Sequence, residues 1–394
     1  MKYARAFGVV FAGAMACLAG GCNTKPVPTR TFQDDVNFLS RHVYTIVLTD
    51  MHGQMEAAVV PKFQGTVMTS TAEGTYGQSY GYIDYELIAS RNTDPQFNMV
   101  GGEDRVFVGP SGGQFGIDFA AGVDFKPENL QVPAALDREG FDVIAHNGDR
   151  VTLQKKFSVT NYSNKTFQLR LTRTIRLLPR DEAWTELGAR GGEKTSVVAY
   201  ETKNDLVNAT HTAWRKEEGL LDLSVVGMFR RTSNVALVLP TMEPGNTSDK
   251  RAAVGMVVLP QATVVSAEQA SAHVALSPKL AKGLLGSYDP ATSTLTVVQF
   301  EPIQPGGPYM RSEWQVLKTP YQGDAASVAG GAGNPFFMLV THSPALQLDG
   351  WSAAEFTSRT YHIRGTAAEL EPIARAVLGV GLEEIRAAVP TAAK

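Results

Sequence analysis

The chain has 394 residues, of which 43% are hydrophobic and 19% are charged. A chain of this length and composition can bury a large core without disulfide bonds. Its 36 lysines and arginines nearly balance its 39 aspartates and glutamates, so the net charge is -3, and neither sign clusters along the chain. Because nucleic-acid-binding surfaces are strongly basic, we expect no nucleic-acid partner.

The N-terminus has the pattern of a secretory signal. Lys2 and Arg5 precede an apolar run that ends at Ala19 and is too short for a retained membrane span. The run leads into LAGGC, which resembles the lipobox of bacterial lipoproteins and ends at Cys22. This resemblance implies a signal peptide over residues 1–21 and a lipid anchor on Cys22. The alternative is an ordinary signal peptide with an incidental cysteine.

The predicted anchor implies a location in the bacterial cell envelope. Asn23 follows the cysteine, which in a Gram-negative cell implies the outer rather than the inner membrane. Cys17 would leave with the signal peptide, so no disulfide is expected in the mature chain. Residues 22–30 are predicted to be a tether. Residues 31–394 are predicted to form one domain, since no repeat or change of composition divides them.

Most of the remaining sequence is typical of β-strands. Apolar and polar residues alternate over residues 150–161 and 166–178, as expected for strands that bury one face. Shorter strand-like segments are residues 45–50, 65–71, 113–119, 196–202, 220–229, 235–239, 252–259, 295–300, 311–317, 336–342 and 355–364.

Helices are expected only at the two ends of this region. Thr31 and Asp34 have the spacing of a helix start, and TAAE at the beginning of residues 366–388 is a capping box. Many strands separated by Gly, Pro and Asp turns predict an all-β fold, a large antiparallel β sandwich. The concave face of a wide, twisted sheet would suit an extended polar ligand such as a sugar.

One charged segment stands out between two glycine pairs. GGEDRVFVGPSGGQFGIDF, residues 101–119, encloses Glu103, Asp104 and Arg105 between glycines that permit tight bends. The three charges could satisfy one another in a buried ion network. Alternatively, Arg105 could project into a cleft and bind the oxygen atoms of a substrate.

A second informative segment is GPYMRSEWQVLKTPYQGDAAS, residues 307–327. Strand alternation would place four residues with hydrogen-bonding groups on one face, namely Tyr309, Arg311, Glu313 and Gln315. The apolar residues Met310, Trp314 and Val316 would lie on the other face. Such a polar row on a concave sheet could bind sugar hydroxyls. The alternative is a solvated outer face on which Arg311 and Glu313 pair weakly.

The same residues resemble a known family. Glu313-Trp-Gln315, followed by Pro320 and by Asp324 within Gly-Asp-Ala, is similar to the Glu-x-Gln and Pro-Asp-Ala run of aldose 1-epimerases, the galactose mutarotases. More widely, residues 101–115, 159–178, 199–204 and 214–229 look like an uncharacterised family of bacterial lipoproteins among the mutarotase-like β supersandwiches. The resemblance covers most of the mature chain and implies a galactose mutarotase-like fold.

The resemblance also implies roles for individual residues. Glu313 matches the general base that takes the anomeric hydroxyl proton, and the residues predicted to hold hydroxyls are Asp104, Arg105, Arg311, Gln315 and Asp324. The catalytic histidine of the family has no counterpart, because Asn161-Tyr162-Ser163 stands at its motif. His146, His211 and His342 are the histidines in or beside nearby strands.

Two functions therefore stay open. One is a carbohydrate-binding or carbohydrate-active envelope lipoprotein of the aldose 1-epimerase-like type, and the other is a non-catalytic binding or structural lipoprotein. No cofactor is expected. No group of residues has the spacing of metal ligands, so no metal site is expected either.

Overall fold

The computed structural model describes residues 30–243, 255–268 and 273–389. The predicted signal peptide, Cys22 and most of the tether lie outside the described residues. The strands within these ranges are β1 (Ile46–Thr49), β2 (Glu56–Val60), β3 (Thr66–Thr71), β4 (Arg105–Gly109), β5 (Asp142–His146), β6 (Arg150–Thr160), β7 (Thr166–Leu177), β8 (Ser196–Asn208), β9 (Asp222–Arg230), β10 (Ala236–Pro240), β11 (Met256–Val258), β12 (Ala262–Ser266), β13 (His273–Leu276), β14 (Leu284–Asp289), β15 (Thr294–Glu301), β16 (Ala326–Ala329), β17 (Phe336–His342) and β18 (Ala353–Arg364).

Both predicted helical regions are present. The first helix, Phe32–His42, begins with a capping box between Thr31 and Asp34. The C-terminal region forms two helices, Ala367–Leu378 and Leu382–Ala388, separated where Gly379 adopts a positive φ. Within the described ranges, three further helices that the sequence did not predict are Tyr85–Ser90, Ala134–Asp137 and Arg180–Leu187, and 3₁₀ turns occur at Pro61–Phe63 and Pro127–Asn129.

The strands form three sheets, and all pairings between them are antiparallel. The largest sheet has the order β11-β12-β10-β14-β15-β18-β8-β7-β6-β5, the second has the order β13-β16-β17-β9-β4, and the smallest has the order β1-β2-β3. An isolated bridge pairs Val67 of the smallest sheet with Asp104, the residue just before β4. The prediction of an all-β, antiparallel sandwich is confirmed.

The core lies between these sheets. Alternate residues of β7, including Phe167, Leu169 and Leu171, are buried in one apolar cluster with residues of β4, β9, β17 and the small sheet. On the opposite face of the large sheet, β8 and β18 pack against the two C-terminal helices in a separate cluster. The central strands of the large sheet are therefore covered on both faces. Among the described residues, no helix is both long and apolar enough to cross a membrane.

Two predicted strands are wrong. Residues 113–119 and 311–317 are loops. Two backbone N–H groups of the second segment form hydrogen bonds with loop residues rather than with a neighbouring strand. Arg311 N donates to the carbonyl of Pro320, and Gln315 N donates to that of Glu313. Its apolar residues do not share a buried face either, because the side chain of Val316 is 65% exposed. Alternation of residue types in this segment therefore does not reflect a sheet.

Candidate functional site

The three consecutive charges of residues 103–105 do not satisfy one another. The Glu103 carboxylate accepts hydrogen bonds from Ser70 N at 2.6 Å, Ser70 Oγ at 2.8 Å and Tyr200 OH at 3.1 Å, and contacts His362 Nε2 at 3.0 Å. Asp104 instead pairs with Arg173 of β7. Each charge is thus enclosed, as one hypothesis required, but its partners come from distant strands and loops.

Arg105 does not project into a cleft. Its side chain is 4% exposed and forms an ion pair with Asp137 at 3.0 Å. Its guanidinium also donates to Gln64 Oε1 at 2.9 and 3.2 Å and to the Asn98 carbonyl at 2.8 Å. Burial lowers the pKa of Arg105 and raises that of Asp104. This placement leaves Asp104 and Arg105 in the interior, so we do not include them in the candidate site.

Arg311, Glu313 and Gln315 lie together on a loop at the surface. Arg311 Nε donates to Glu313 Oε1 at 2.8 Å, and Gln315 Nε2 donates to Glu313 Oε2 at 2.6 Å. The side chain of Glu313 is 19% exposed and that of Arg311 is 37% exposed. Asp324 is half-buried beyond this loop. The predicted catalytic residue Glu313 and two predicted substrate-binding residues, Arg311 and Gln315, are therefore neighbours.

Glycine positions this loop. A Cβ at Gly112 would lie 2.5 Å from the carbonyl oxygen of Glu313, so only glycine lets the two backbones approach so closely. Gln114 holds the end of the loop at Leu317. Its side chain donates a hydrogen bond to the carbonyl of Leu317 and accepts one from Leu317 N, both at 2.9 Å. The predicted use of glycines for close backbone approach agrees with this geometry.

A cleft lies beneath the loop where three strand ends meet. The register places Gly109, the last residue of β4, opposite Asp222 at the start of β9, and His342 at the end of β17 opposite Ser224. The chain after β4 then folds back and brings Asp118 to the same place. We call this space, of about 450 Å³ including its open mouth, the Asp118 cleft. Its lining comprises residues 107–111 together with Asp118, Val132, Asp222, Ser224, Met310, Ser312 and His342.

The Asp118 cleft contains groups suited to proton transfer. Burial raises the pKa of Asp118 to about 7, while a hydrogen bond with Ser111 acts in the opposite direction. His342 Nδ1 lies 3.5 Å from Asp222 Oδ2. The other oxygen, Asp222 Oδ1, is buried and has no hydrogen-bond partner in the described part of the chain. A buried, unsatisfied carboxylate oxygen is costly, so it suggests a group that a ligand completes.

Sequence reasoning missed Asp118 and Asp222, and named His342 without assigning it a role. Asp118 belongs to the charged segment, but the strand predicted over 113–119 gave it no functional role. Asp222 and His342 are 120 positions apart, so their proximity depends on the pairing of β9 with β17. The orphaned carboxylate oxygen is visible only in the structure.

The position of the missing family histidine lies at the same end of the molecule. Tyr162 N donates to the carbonyl of Gly116, and Ser163 Oγ donates to that of Gln114. The amide of Asn161 is used internally, since its Nδ2 donates to the carbonyl of Glu218 at 2.9 Å. The loop that supports Glu313 therefore also contacts this segment. His146 and His211 are exposed elsewhere.

Within the ranges that the structure describes, no three His, Cys, Asp or Glu side chains are grouped as metal ligands.

A protein family matches nearly the whole described part of the sequence. The model of a family described as "Family of unknown function (DUF6786)" matches residues 30–389. The chain belongs to this family. No curated protein matches the chain in sequence. Membership in DUF6786 agrees with the predicted uncharacterised family.

Solved structures resemble the chain at low identity. The Slr1438 protein from Synechocystis sp. PCC 6803 is 13% identical, with a TM-score of 0.49 and coverage of 88% of this chain and 99% of that one. A galactose mutarotase-like protein from Lactobacillus casei ATCC 334 is 11% identical, with a TM-score of 0.48 and coverage of 81% and 100%. A galactose mutarotase related enzyme from Lactobacillus acidophilus is 8% identical, with a TM-score of 0.45 and coverage of 81% and 97%. The predicted mutarotase-like resemblance thus recurs among solved structures, but we transfer no residue role from it.

Proposed function

We propose that this DUF6786 protein binds a carbohydrate in the Asp118 cleft and interconverts its anomers, in the manner of an aldose 1-epimerase. The observation that carries the proposal is the pairing, in one cleft, of a carboxylic acid whose pKa is about 7 with a His–Asp pair. General acid–base catalysis needs groups whose protonation changes near the working pH. The names of the similar structures support the choice of a sugar as the substrate class.

The proposed reaction uses one acid and one base. His342, through the ring nitrogen that does not face Asp222, takes the proton from the anomeric hydroxyl. Asp118 gives its proton to the ring oxygen as the bond between C1 and that oxygen breaks, and the anomeric carbon becomes an aldehyde carbon. Asp222 stabilises the imidazolium that forms. Rotation about the bond from C1 to C2 and the reverse proton transfers close the ring as the other anomer and restore both groups.

In this proposal Arg311, Gln315 and Asp324 contact sugar hydroxyls near the mouth of the cleft, as the sequence predicted. Ser312 connects this loop to the cleft, because its Oγ accepts from Gly112 N at 3.0 Å. We place Glu313 here as an organising residue rather than as the base, since its two carboxylate oxygens already accept hydrogen bonds from Arg311 and Gln315.

A second function, binding without catalysis, is favoured by the same observation on Glu313. If Glu313, the residue that matches the general base of aldose 1-epimerases, serves only to hold its own loop, the cleft could bind a sugar without converting one anomer into the other. Binding would then require the hydroxyl-contacting residues but neither Asp118 nor His342 in a particular protonation state.

Polarimetry of freshly dissolved aldoses, together with calorimetric binding, tests both functions. We expect the wild type to accelerate mutarotation, and Asp118→Asn and His342→Gln each to lower the rate at least ~10²-fold because each removes a proton-transfer group. Matched controls are Asp124→Asn, at a side chain that is 71% exposed, and His146→Gln on the exposed strand β5. Binding without acceleration by the wild type would favour the second function. Neither binding nor acceleration with any aldose would contradict both.

We also propose that the protein is held in the bacterial envelope, at the outer membrane, by lipid on Cys22. The support is the LAGGC sequence and the apolar run before it. Several acyl chains together give stable anchoring, since each buried methylene contributes ~0.8 kcal/mol. The site would then face carbohydrate in the envelope or outside the cell.

A further inference from the structure

A second cavity opens at the other end of the sandwich. β9 begins with Asp222 in the Asp118 cleft and ends with Arg230 in this second cavity, so eight residue steps of about 3.3 Å put the two roughly 26 Å apart. We call it the Tyr80 pocket, and its volume is about 610 Å³ including its open mouth. Its lining includes Arg30, Tyr80, Phe229, Asp289, Thr294 and Phe337.

The lining combines aromatic faces with hydroxyl groups. Phe229 and Phe337 stack with ring centroids 5.4 Å apart, and Tyr80 stacks on His362 at 4.2 Å. Around them, serine and threonine hydroxyls come from β14, β15 and the adjoining loops. A hydroxyl can donate one hydrogen bond and accept two, so these groups keep capacity beyond their internal bonds. Flat apolar surfaces beside many hydroxyls suit a polyhydroxylated ring, which has both C–H faces and O–H edges.

One buried polar atom in this pocket is left without a partner. Tyr80 is 5% exposed, and its hydroxyl has no hydrogen-bond partner among the residues with described positions. Burial raises the pKa of this phenol, so it stays a neutral hydrogen-bond donor at physiological pH. A buried donor without an acceptor is unfavourable, which indicates that an acceptor from outside the chain completes it.

The cations at the mouth differ in how far they are neutralised. Arg230 is paired with Asp35, and Arg231 lies 3.6 Å from Glu268. Arg30 stacks over the ring of Tyr85 at 4.1 Å, and makes no ion pair with a carboxylate in the described ranges. The lining also contains the carboxylate of Asp289, whose Oδ1 accepts hydrogen bonds from Thr232 Oγ1 at 2.6 Å and from Ala291 N at 2.9 Å. Arg30 is therefore the guanidinium at the mouth that is available to an anionic group, while the Asp289 carboxylate lies elsewhere in the lining.

We propose that the Tyr80 pocket is a separate binding site for a sugar acid, a pyranose ring that carries one carboxylate, such as a hexuronate. Arg30 binds the carboxylate, in the two-pronged geometry that guanidinium groups favour. The Tyr80 hydroxyl donates to a ring or hydroxyl oxygen, the threonines of β15 contact the remaining hydroxyls, and the Phe229 face covers the ring. This site is distinct from the Asp118 cleft and does not depend on the reaction proposed there.

Isothermal titration of the soluble chain without its lipid anchor tests the proposal, with glucuronate, galacturonate, glucose and acetate as probes. We expect a uronate to bind at least 10-fold more tightly than glucose, and acetate not to bind. Tyr80→Phe should weaken uronate binding about 10-fold, and Arg30→Gln should weaken uronate but not glucose binding. Asp118→Asn is the control and should leave uronate affinity unchanged, which separates this site from the Asp118 cleft.

Three results would overturn the proposal. They are the absence of uronate binding, uronate binding that Tyr80→Phe and Arg30→Gln leave unchanged, and uronate binding that Asp118→Asn abolishes. Because Tyr80→Phe removes only an unpartnered oxygen, the variant should fold, and circular dichroism with a melting curve checks this. A Thr294→Val variant gives a second, independent loss of a lining hydroxyl.

Discussion

The buried carboxyl group of Asp118 should make the protein less stable as the pH rises, and Asp118→Asn should remove this effect. Burial raises the pKa of Asp118 in the folded chain from 3.8 to about 7. Between these two values the unfolded chain has lost the proton and the folded chain still holds it. The contribution of Asp118 to the free energy of unfolding therefore falls as pH rises through this interval, and is level below about pH 3.8 and above about pH 7.

The magnitude follows from linkage. Each pH unit inside the interval costs about 1.4 kcal/mol, so moving from pH 5 to pH 7 should cost roughly 2–3 kcal/mol through this group alone. An asparagine has no proton to lose. The difference in stability between Asp118→Asn and the wild type should therefore grow in favour of the variant by up to that amount, provided the amide keeps the contact with Ser111.

Urea unfolding of the two proteins at pH 5, 6, 7 and 8 measures this difference. Comparing the proteins at each pH cancels the contributions of the other titrating groups, and Asp124→Asn serves as the exposed control. A stability difference that stays constant from pH 5 to pH 8 would refute the raised pKa, and with it the role of Asp118 as an acid near neutral pH. Growth of the difference only above pH 7 would also count against it.

Three further predictions concern other parts of the chain. Arg105→Met should lower the free energy of unfolding by about 3–5 kcal/mol because it leaves the Asp137 carboxylate buried and unpaired. Denaturant unfolding measures this loss, and adding Asp137→Asn should recover part of it. An unchanged unfolding midpoint in the single variant would show that the pair is solvated. Gly109→Ala should displace Asp222, since the new Cβ would lie 2.5 Å from Asp222 Oδ1. This variant should reduce the rate of mutarotation more strongly than the free energy of unfolding. A rate equal to that of the wild type would argue against a role for Asp222. Cys22→Ala should move the protein from the membrane fraction to the soluble fraction. The lipid anchor would be contradicted if the variant stayed in the membrane fraction and the wild type incorporated no labelled palmitate.

The sequence predicted the fold class well because strand burial leaves a local trace. Residues 150–161 and 166–178 alternate because one face of β6 and of β7 meets the core, and the capping residues Thr31 and Thr366 mark helix starts. The same reasoning failed at residues 311–317, because alternating residue types do not specify a hydrogen-bonded neighbour. That segment has no adjacent strand and folds as a loop against Gly112.

The candidate site was predicted only in part. Arg311, Glu313 and Gln315 are close in sequence, and the structure keeps them together. Arg105 was assigned to a ligand from its charge and its glycine neighbours. Its actual partner, Asp137, lies on a short helix that the sequence did not predict.

The sequence by itself determined the all-β class, the long alternating strands β6 and β7, the starts of the first helix and of the C-terminal helical region, and that the charges at residues 103–105 must be enclosed. These properties depend on residues a few positions apart, so a local pattern records them. The sequence did not determine several shorter strands, among them β4 and β5, or the three helices between residues 85 and 187. Only the tertiary structure decided that Gly109, Asp222 and His342 meet at one end of the sandwich, and that Tyr80 and Arg30 line a cavity at the other. Those contacts depend on antiparallel register between strands far apart in the chain. Pairing of this kind follows from the packing of whole sheets, to which no short stretch of sequence corresponds.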